Sequence, residues 1–326
     1  MRFDVLSGLA LGSSGGPVAS PPPSRPSFSI GVCATGTVDA PRAFLRTLLA
    51  EAGAAQMELK KLIVVASGCS AATLSELESA TRLDPRIQLF VEEVRQGKAD
   101  AVNKILSAAS GDYVVFVNSD AVPEPGAVPS LLKMALSDPL IGAVSALPDA
   151  GPGGGRTSLL TEFMWTTHNE CSLALNHMGI ANHSSDELVV FRSAAITPLP
   201  SGLVNDGAYM GGTAKKLGYK VIVCPSARVR VRTPSRPLEV LLQRRRILFG
   251  HAQVWREVGA PPRTIESMLF LSPLTGVRIM VRALAKDPRY LEIAPVAAVT
   301  ELLSTVMSIF DTMSSSSAHR VWRRFT

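Results

Sequence analysis

Charge is scarce in this 326-residue chain. Asp, Glu, Lys and Arg make up only 18% of it, against about 25% in an average soluble domain. Mean hydropathy is correspondingly high, at +0.22. An evenly charged surface is therefore excluded, and some apolar surface is expected to meet a membrane or a partner. Cysteine is sparse as well: Cys33, Cys69, Cys171 and Cys224 include no C-x-x-C pair. That spacing removes a zinc ribbon and describes the reduced thiols of an intracellular chain. Two glycine signatures are also missing. No G-x-G-x-x-G follows the first apolar strand, and no G-x-x-x-x-G-K-[ST] occurs anywhere, so the dinucleotide-fold and P-loop readings lose their main support.

The charge that is present leans positive, with a net +6 and a pI near 9.3. Such a balance suits phosphates, nucleotides or acidic lipid headgroups without choosing among them. The length fits two domains, or one α/β domain with an appended helical region. Residues 1–26 hold Ser13 to Gly16 and Pro21 to Pro23, and read as a disordered tail. The apolar run Val5 to Leu11 is too short to span a bilayer, and Asp4 directly after the basic start argues against a signal peptide.

Strand and helix patterns alternate from Phe28 onward. Phe28 to Cys33, Leu62 to Ala66 and Ile87 to Val91 are predicted strands, each followed by a helical pattern, and the first two end in small polar residues. Repeated alternation implies right-handed crossovers and a mostly parallel sheet. The richest stretch runs from Gly97 to Gly126, GKADAVNKILSAASGDYVVFVNSDAVPEPG. Ala101, Val102, Ile105, Leu106 and Ala109 recur at helical spacing, Gly111 breaks the helix, and Tyr113 to Val117 forms an apolar run. A helix feeding a strand buried on both faces is predicted. Asn118, Ser119 and Asp120 then emerge at its carboxyl end, over the crevice where open α/β sheets bind ligands. Pro123 and Pro125 are expected to stop the strand and hold Asp120 on a short, stiff loop.

These landmarks resemble a family. FSIGVCATG, LIVVASGCS, RQGKADAVN and GDYVVFVNSDAVPEPG look like the successive motifs of a family-2 glycosyltransferase with the GT-A fold, of a prokaryotic or archaeal-like subgroup. VNDGAYMGGTAKKLGYKVIVCPSARV resembles the family's acidic dyad, helix and following strand, and Gln243 to Arg246 resembles the Q-x-x-R part of its Q-x-x-R-W motif. The resemblance covers roughly residues 28–255. It implies a mixed, mostly parallel α/β sheet in a GT-A domain over 27–257, followed by an apolar, amphipathic helical region over 258–326. It also implies sugar transfer from a UDP- or GDP-sugar to a glycan or lipid-linked acceptor, with inversion, aided by Mg²⁺ or Mn²⁺. Nucleic acid is not an expected partner.

The chemistry explains why such residues are needed. Charge builds on the departing diphosphate as the sugar leaves, and a hard divalent cation held by one or two carboxylates meets it. By resemblance Asp120 is the metal ligand. The donor pocket is completed by Ala34, Thr35, Ser67, Lys98, Asn103, Asn118 and Ser119, and Gln243 and Arg246 close the diphosphate and acceptor end. Asp206 is the expected base that takes the acceptor's proton. Its alternative role is a helix N-cap. Several positions depart from the family pattern: Ala66, Asn118, Asn205 and Gly207 stand where relatives carry acids, and Ile247 stands in place of the motif's tryptophan. Those departures keep open a catalytically weak scaffold subunit of a glycan-assembly complex. A nucleotidyltransferase is the other rival, although VCATGTVDAPR lacks the basic glycine-rich signature such enzymes carry.

Three further features lie outside that core. His168, His177 and His183 fit no standard metal-ligand spacing. Trp165 suits either a core position or a sugar platform. Arg228, Arg230 and Arg232 alternate with valines and share one strand face. Near the end, Met268 to Leu284 contains Arg278 and Arg282, and Ile293 to Phe310 contains Pro295 and Glu301. Charges at mid-bilayer are costly, so an interfacial pair on a cytoplasmic membrane face, or a dimer-forming pair, is expected rather than clean transmembrane helices. Arg320, Arg323 and Arg324 would add an electrostatic anchor.

Overall fold

The computed structural model describes residues 25–151, 153–314 and His319. The expected N-terminal tail, apart from Arg25 and Pro26, and the basic end Arg320, Arg323 and Arg324 lie outside these residues.

The chain begins with β1 (Ser27–Gly36), α1 (Pro41–Ala54), β2 (Glu58–Cys69), α2 (Ala71–Ala80) and β3 (Ile87–Glu92). It continues through α3 (Lys98–Ala108), β4 (Tyr113–Asn118), β5 (Ala121–Pro123), α4 (Ala127–Leu136) and β6 (Ile141–Ala150). A long helix α5 (Gly155–His177) leads by a loop to β7 (Leu188–Arg192), then α6 (Asp206–Lys216), β8 (Lys220–Val231) and α7 (Pro237–Val258). Three helices follow, α8 (Ile265–Leu271), α9 (Pro273–Leu284) and α10 (Tyr290–Ser314).

The strands form one eight-stranded sheet in the order β3-β2-β1-β4-β7-β6-β8-β5. The three pairings among β3, β2, β1 and β4 are parallel, as is β6 with β8, whereas β7 runs antiparallel to both its neighbours. Val115, Leu62 and Ile30 are fully buried because helices cover the parallel half on both faces. Pro123 does not end the strand pattern outright. After a turn at Ser119 and Asp120 the chain forms the three-residue β5, antiparallel to β8 at the sheet's edge. An edge position tolerates the missing proline N–H.

The turn that carries Asp120 is held from both sides. The Arg232 N–H donates to the Asp120 carbonyl at 3.0 Å. Buried Glu51 accepts from the N–H groups of Gly126 and Val128 at 2.8 and 3.0 Å, capping α4 with a carboxylate where the helix dipole favours one. The sequence-predicted stiffness of this loop thus comes from these bonds as much as from the prolines.

The C-terminal helices are joined to the sheet domain by charge. Arg244 on α7 meets Glu266 of α8 at 2.5 Å and Glu301 of α10 at 2.6 Å, and Arg245 meets Asp311 of α10 at 2.5 Å. Ser304 also donates to the Leu241 carbonyl at 3.0 Å. The apolar run Met268 to Leu284 is broken into α8 and α9, with Pro273 at the first turn of α9 where its missing N–H is harmless.

Candidate active site

The carboxyl ends of β1, β2 and β4 open into one cavity of about 180 Å³. Ala34, Thr35, Ser67, Lys98, Asn118, Asp120, Gln243 and Arg246, all expected from sequence, line it. They come from five elements or their connecting turns, and β-sheet register explains the first part of the convergence: Ala34 pairs with Ala66, Thr35 with Ser67, and Cys33 with Asn118. Thr35 Oγ1 is buried and makes no hydrogen bond within the chain.

Two expected residues fall elsewhere. Asn103 does not reach the cavity: its side-chain amide donates to the Leu199 carbonyl at 2.8 Å and accepts from the Leu199 N–H at 2.8 Å. Five residues beyond Lys98 on a helix, it points well away from it. Ser119, in the turn after β4, lines an adjacent cleft with Thr37, Asp39 and Arg230. Asn118 lines the cavity, and Asp120 lines both the cavity and that cleft.

Lys98 is the electrostatic centre. Gly97, at φ 119°, precedes it in a conformation that suits glycine and starts α3 there. The ammonium forms a close ion pair with Asp186 and stands 3.1 Å from Asp206 Oδ1. Burial by itself would lower its pKa, but the two carboxylates outweigh that effect and raise it. Asp186, for which burial works upward, is held well below the usual carboxylate range by Lys98. Asp206 is pushed up to about 6, chiefly by burial, with Lys98 opposing and Asp186 adding to the shift. Its Oδ1 is buried against the Lys98 ammonium.

Asp206 is not an N-cap. Asn205 fills that role, accepting from the Ala208 N–H at 3.1 Å, and Asp206 is the first helical residue of α6. Asp206 lies beside the cavity behind Lys98, whereas Asn205 lines it.

Asp186 and Glu187 were not assigned roles from the sequence. Both line the cavity. Glu187 accepts from the Asn118 amide at 3.0 Å, and its carboxyl is pushed up to about 8 by burial and by the charges of Asp186 and Asp120. The acids absent at 205 and 207 are thus matched by acids from a different loop. Gly207 shows why: a Cβ there would stand 2.6 Å from the Ser184 carbonyl oxygen, and one at Gly211 2.9 Å from the Ser184 N. Bare backbone on α6 lets the 183–187 loop lie against it, with Ser184 Oγ donating to the Gly207 carbonyl at 2.6 Å. Asp-Glu directly before a strand, with two glycines one helical turn apart on the next helix, was the available signal. Arg95 also lines the cavity without having been singled out.

A second cavity, of about 390 Å³, adjoins the first between α5, α7, α8, α9 and α10. Asp186, Glu187, Asn205, Gln243 and Ile247 line both. His168, His183 and His251 stand in a row in its wall, with successive ring centroids 5.9 and 5.5 Å apart, while His177 is exposed and apart from them. Burial pushes His168 and His251 down to about 3 and also lowers His183, which leaves neutral imidazoles. Among the described residues no group of three or more His, Cys, Asp and Glu side chains is arranged to hold a metal ion by itself. Trp165 packs on the sheet core, one of its two expected roles, and also lines this cavity.

The basic stripe of β8 is paired rather than free. Arg228 meets Asp149 at 3.0 Å, Arg230 meets Glu124 at 3.4 Å, and Arg232 meets Asp39 at 3.5 Å.

A mixed sheet of this order, with a crevice of carboxylates and cations at the ends of its parallel strands, defines a GT-A glycosyltransferase fold. Residues 32–192 match the family described as Glycosyl transferase family 2, and the chain is an enzyme of the glycosyltransferase type. Among solved structures, the mannosyltransferase PcManGT from Pyrobaculum calidifontis, in complex with GDP-Man and Mn²⁺, is similar over 90% of this chain and 89% of its own. The identity is 19% and the TM-score 0.58. Glucosyl-3-phosphoglycerate synthase from Mycobacterium tuberculosis, in complex with phosphoglyceric acid, is similar over 72% of this chain and 81% of its own, with 21% identity and a TM-score of 0.46. No curated protein matches the chain.

Proposed function

We propose that this enzyme transfers a sugar from a nucleotide-diphosphate donor to a hydroxyl acceptor, with inversion, and that the smaller cavity is the donor site. One observation carries the reading: Asp120, Lys98, Gln243 and Arg246 converge on a single crevice beside three further carboxylates, Asp186, Glu187 and Asp206.

The donor set fits a divalent cation. Asp120 and Glu187 both line the cavity and present hard oxygens, and Mg²⁺ and Mn²⁺ take such oxygens together with substrate phosphate. When bound, the ion would supply charge neutralisation at the leaving diphosphate. The side chains do the rest. Arg246 and Lys98 offer cationic donors to the phosphates, and Thr35, Ser67 and Asn118 offer hydrogen-bonding groups to the nucleoside. The acceptor oxygen bonds to the anomeric carbon as the bond from that carbon to the diphosphate oxygen breaks. The electron pair leaves with the diphosphate, and Asp206 takes the acceptor's proton. A carboxylate held near 6 is ionised at neutral pH yet basic enough for that transfer, which Asp186, tied to Lys98, is not.

GDP-mannose with Mn²⁺, the pair in the PcManGT structure, is the first donor to try. Purified enzyme incubated with Mn²⁺ and a panel of UDP- and GDP-sugars is expected to hydrolyse at least one slowly. Asp120→Ala is expected to lower that rate by about 10² or more, the scale seen when a group stabilising transition-state charge is removed. Silence across the panel would favour the scaffold reading that Ala66 and Asn118 left open.

A further inference from the structure

We infer that the larger cavity is an acceptor site for an amphiphile, with an aliphatic chain in the cavity and a neutral, hydroxyl-bearing head at the donor site, loaded from a lipid surface. The inference rests on the sugar-transfer reading above and adds the acceptor's chemical class.

Continuity is the first support. Any molecule lying in the cavity ends against Asp186, Glu187 and Gln243, which the donor site shares. The second is polarity. Away from that junction the wall includes Phe163, Met164, Met280, Ala294 and Ala297, with polar groups such as Ser172 and Thr264 among them. Of its ionic groups, Arg244 lies between Glu266 and Glu301, Arg263 donates to the Ile180 carbonyl at 2.9 Å, and the three histidines are kept neutral. Such a wall suits a chain of methylenes, each worth about 0.8 kcal/mol when taken out of water. The two carboxylates at the inner end would repel an anionic head and accept hydrogen bonds from hydroxyls.

The third support is the mouth. Leu269 and Ala298 line the cavity and are also exposed, so the cavity wall continues onto the surface. That surface is apolar over a long distance. From Pro295 to Met313 every exposed residue of α10 is apolar, Phe310 among them at 67% exposure, and Phe270 on α8 is 90% exposed. α10 is long and apolar enough to cross a membrane, but its inner face is tied to α7 through Arg244, Arg245 and Ser304. A helix anchored along one side lies flat, with the other side available to acyl chains. On the neighbouring α9, exposed Arg278 and Arg282 sit beside exposed Leu274, Val277 and Val281, as suits anionic headgroups above an apolar layer. Charge of this kind beside the apolar face favours a lipid surface over a second copy of the chain.

The bond changes are those of the donor reaction, with a head hydroxyl as the oxygen that bonds to the anomeric carbon and gives up its proton to Asp206.

Decyl β-D-glucopyranoside, below its micelle concentration, is the soluble probe, followed through the fluorescence of Trp165 with Trp165→Phe as the control for signal origin. Ala298→Trp narrows the mouth at an exposed position. It is expected to weaken probe binding by about tenfold while changing donor-nucleotide affinity by less than about twofold. Ala294→Phe, which fills the interior, should give the same split if it folds. Decyl phosphate is expected to bind more weakly than the glucoside, and tighter binding of the phosphate would overturn the neutral-head assignment. The protein should also sediment with phosphatidylcholine and phosphatidylglycerol vesicles, and less so as Phe270→Ser/Phe310→Ser. Two results overturn the proposal while leaving sugar transfer intact: a hydrolysed donor with no probe binding, or a dimer in solution that Phe310→Ser dissociates. Absence of donor binding and hydrolysis, with the probe still bound, would instead remove the sugar-transfer reading.

Discussion

Alanine at Gly207 would set a methyl carbon 2.6 Å from the Ser184 carbonyl oxygen, about 0.8 Å inside the 3.4 Å at which ordinary contact begins. The obstacle is backbone on both sides, so no side chain can swing aside. Either α6 or the 183–187 loop must retreat by most of that distance. The Ser184 bond to the Gly207 carbonyl, 2.6 Å long, would be lost or stretched. Forced overpacking of this kind costs about 1–3 kcal/mol. The larger effect is expected on the site. Asp186 is two residues from Ser184 and Asp206 is next to Gly207, so the separation between the two carboxylates and Lys98 changes with the loop. A misplacement of about 1 Å at reacting groups can lower a rate by about 10²-fold. Gly207→Ala should therefore melt a few degrees lower and hydrolyse donor about a hundred times more slowly, with nucleotide affinity little changed. Gly53→Ala is the control, since nothing lies within 4 Å of its added carbon and the position is helical. That variant should be as stable as the parent or slightly more so. If Gly207→Ala matched the parent in melting temperature and rate, the account of how the acids are assembled would be wrong.

Other substitutions separate structure from chemistry. With Asp206 at about 6 and acting only when ionised, turnover should be full above that pH and fall tenfold per unit below it, and Asp206→Asn should remove the enzyme's acid limb with the activity. A pH profile flat down to 5 would refute Asp206 as the base. Arg244→Met strands Glu266 and Glu301 in a buried setting and should cost about 3–5 kcal/mol, most of it regained when both acids are changed to glutamine. Urea titration of the single and triple variants measures this, and equal stability of the two would contradict it. Asn103→Ala forfeits two bonds to Leu199 and should destabilise by about 1–3 kcal/mol without altering donor affinity. A specific loss of donor affinity would restore Asn103 to the donor pocket.

Much of the architecture was legible in local pattern. The apolar runs of β1, β2 and β4 and the small residues at their ends marked a parallel sheet and its ligand edge, because a strand buried on both faces has no other way to satisfy itself. Asn118 and Asp120 were legible for the same reason, as residues delivered where such a strand stops. The family resemblance added Lys98, Gln243 and Arg246, which the fold does bring to the crevice.

What lay beyond the sequence was the meeting of segments distant in the chain. Asp186 sits 88 residues from Lys98, and the spaced glycines on α6 gain their meaning only once the fold lays the Asp186 loop against them. Asn103 looked like a site residue by motif and became a brace, since helix rotation and not sequence distance decides which side chain faces a cavity. The C-terminal helices read as apolar from composition alone. Whether their apolar faces would be buried, or left outside beside a cavity, depended on which face Arg244 and Arg245 hold against α7. Local physics thus determines strands, helices and the residues at their ends. Long-range packing alone decides which charges become neighbours, and with that their pKa values and their chemistry.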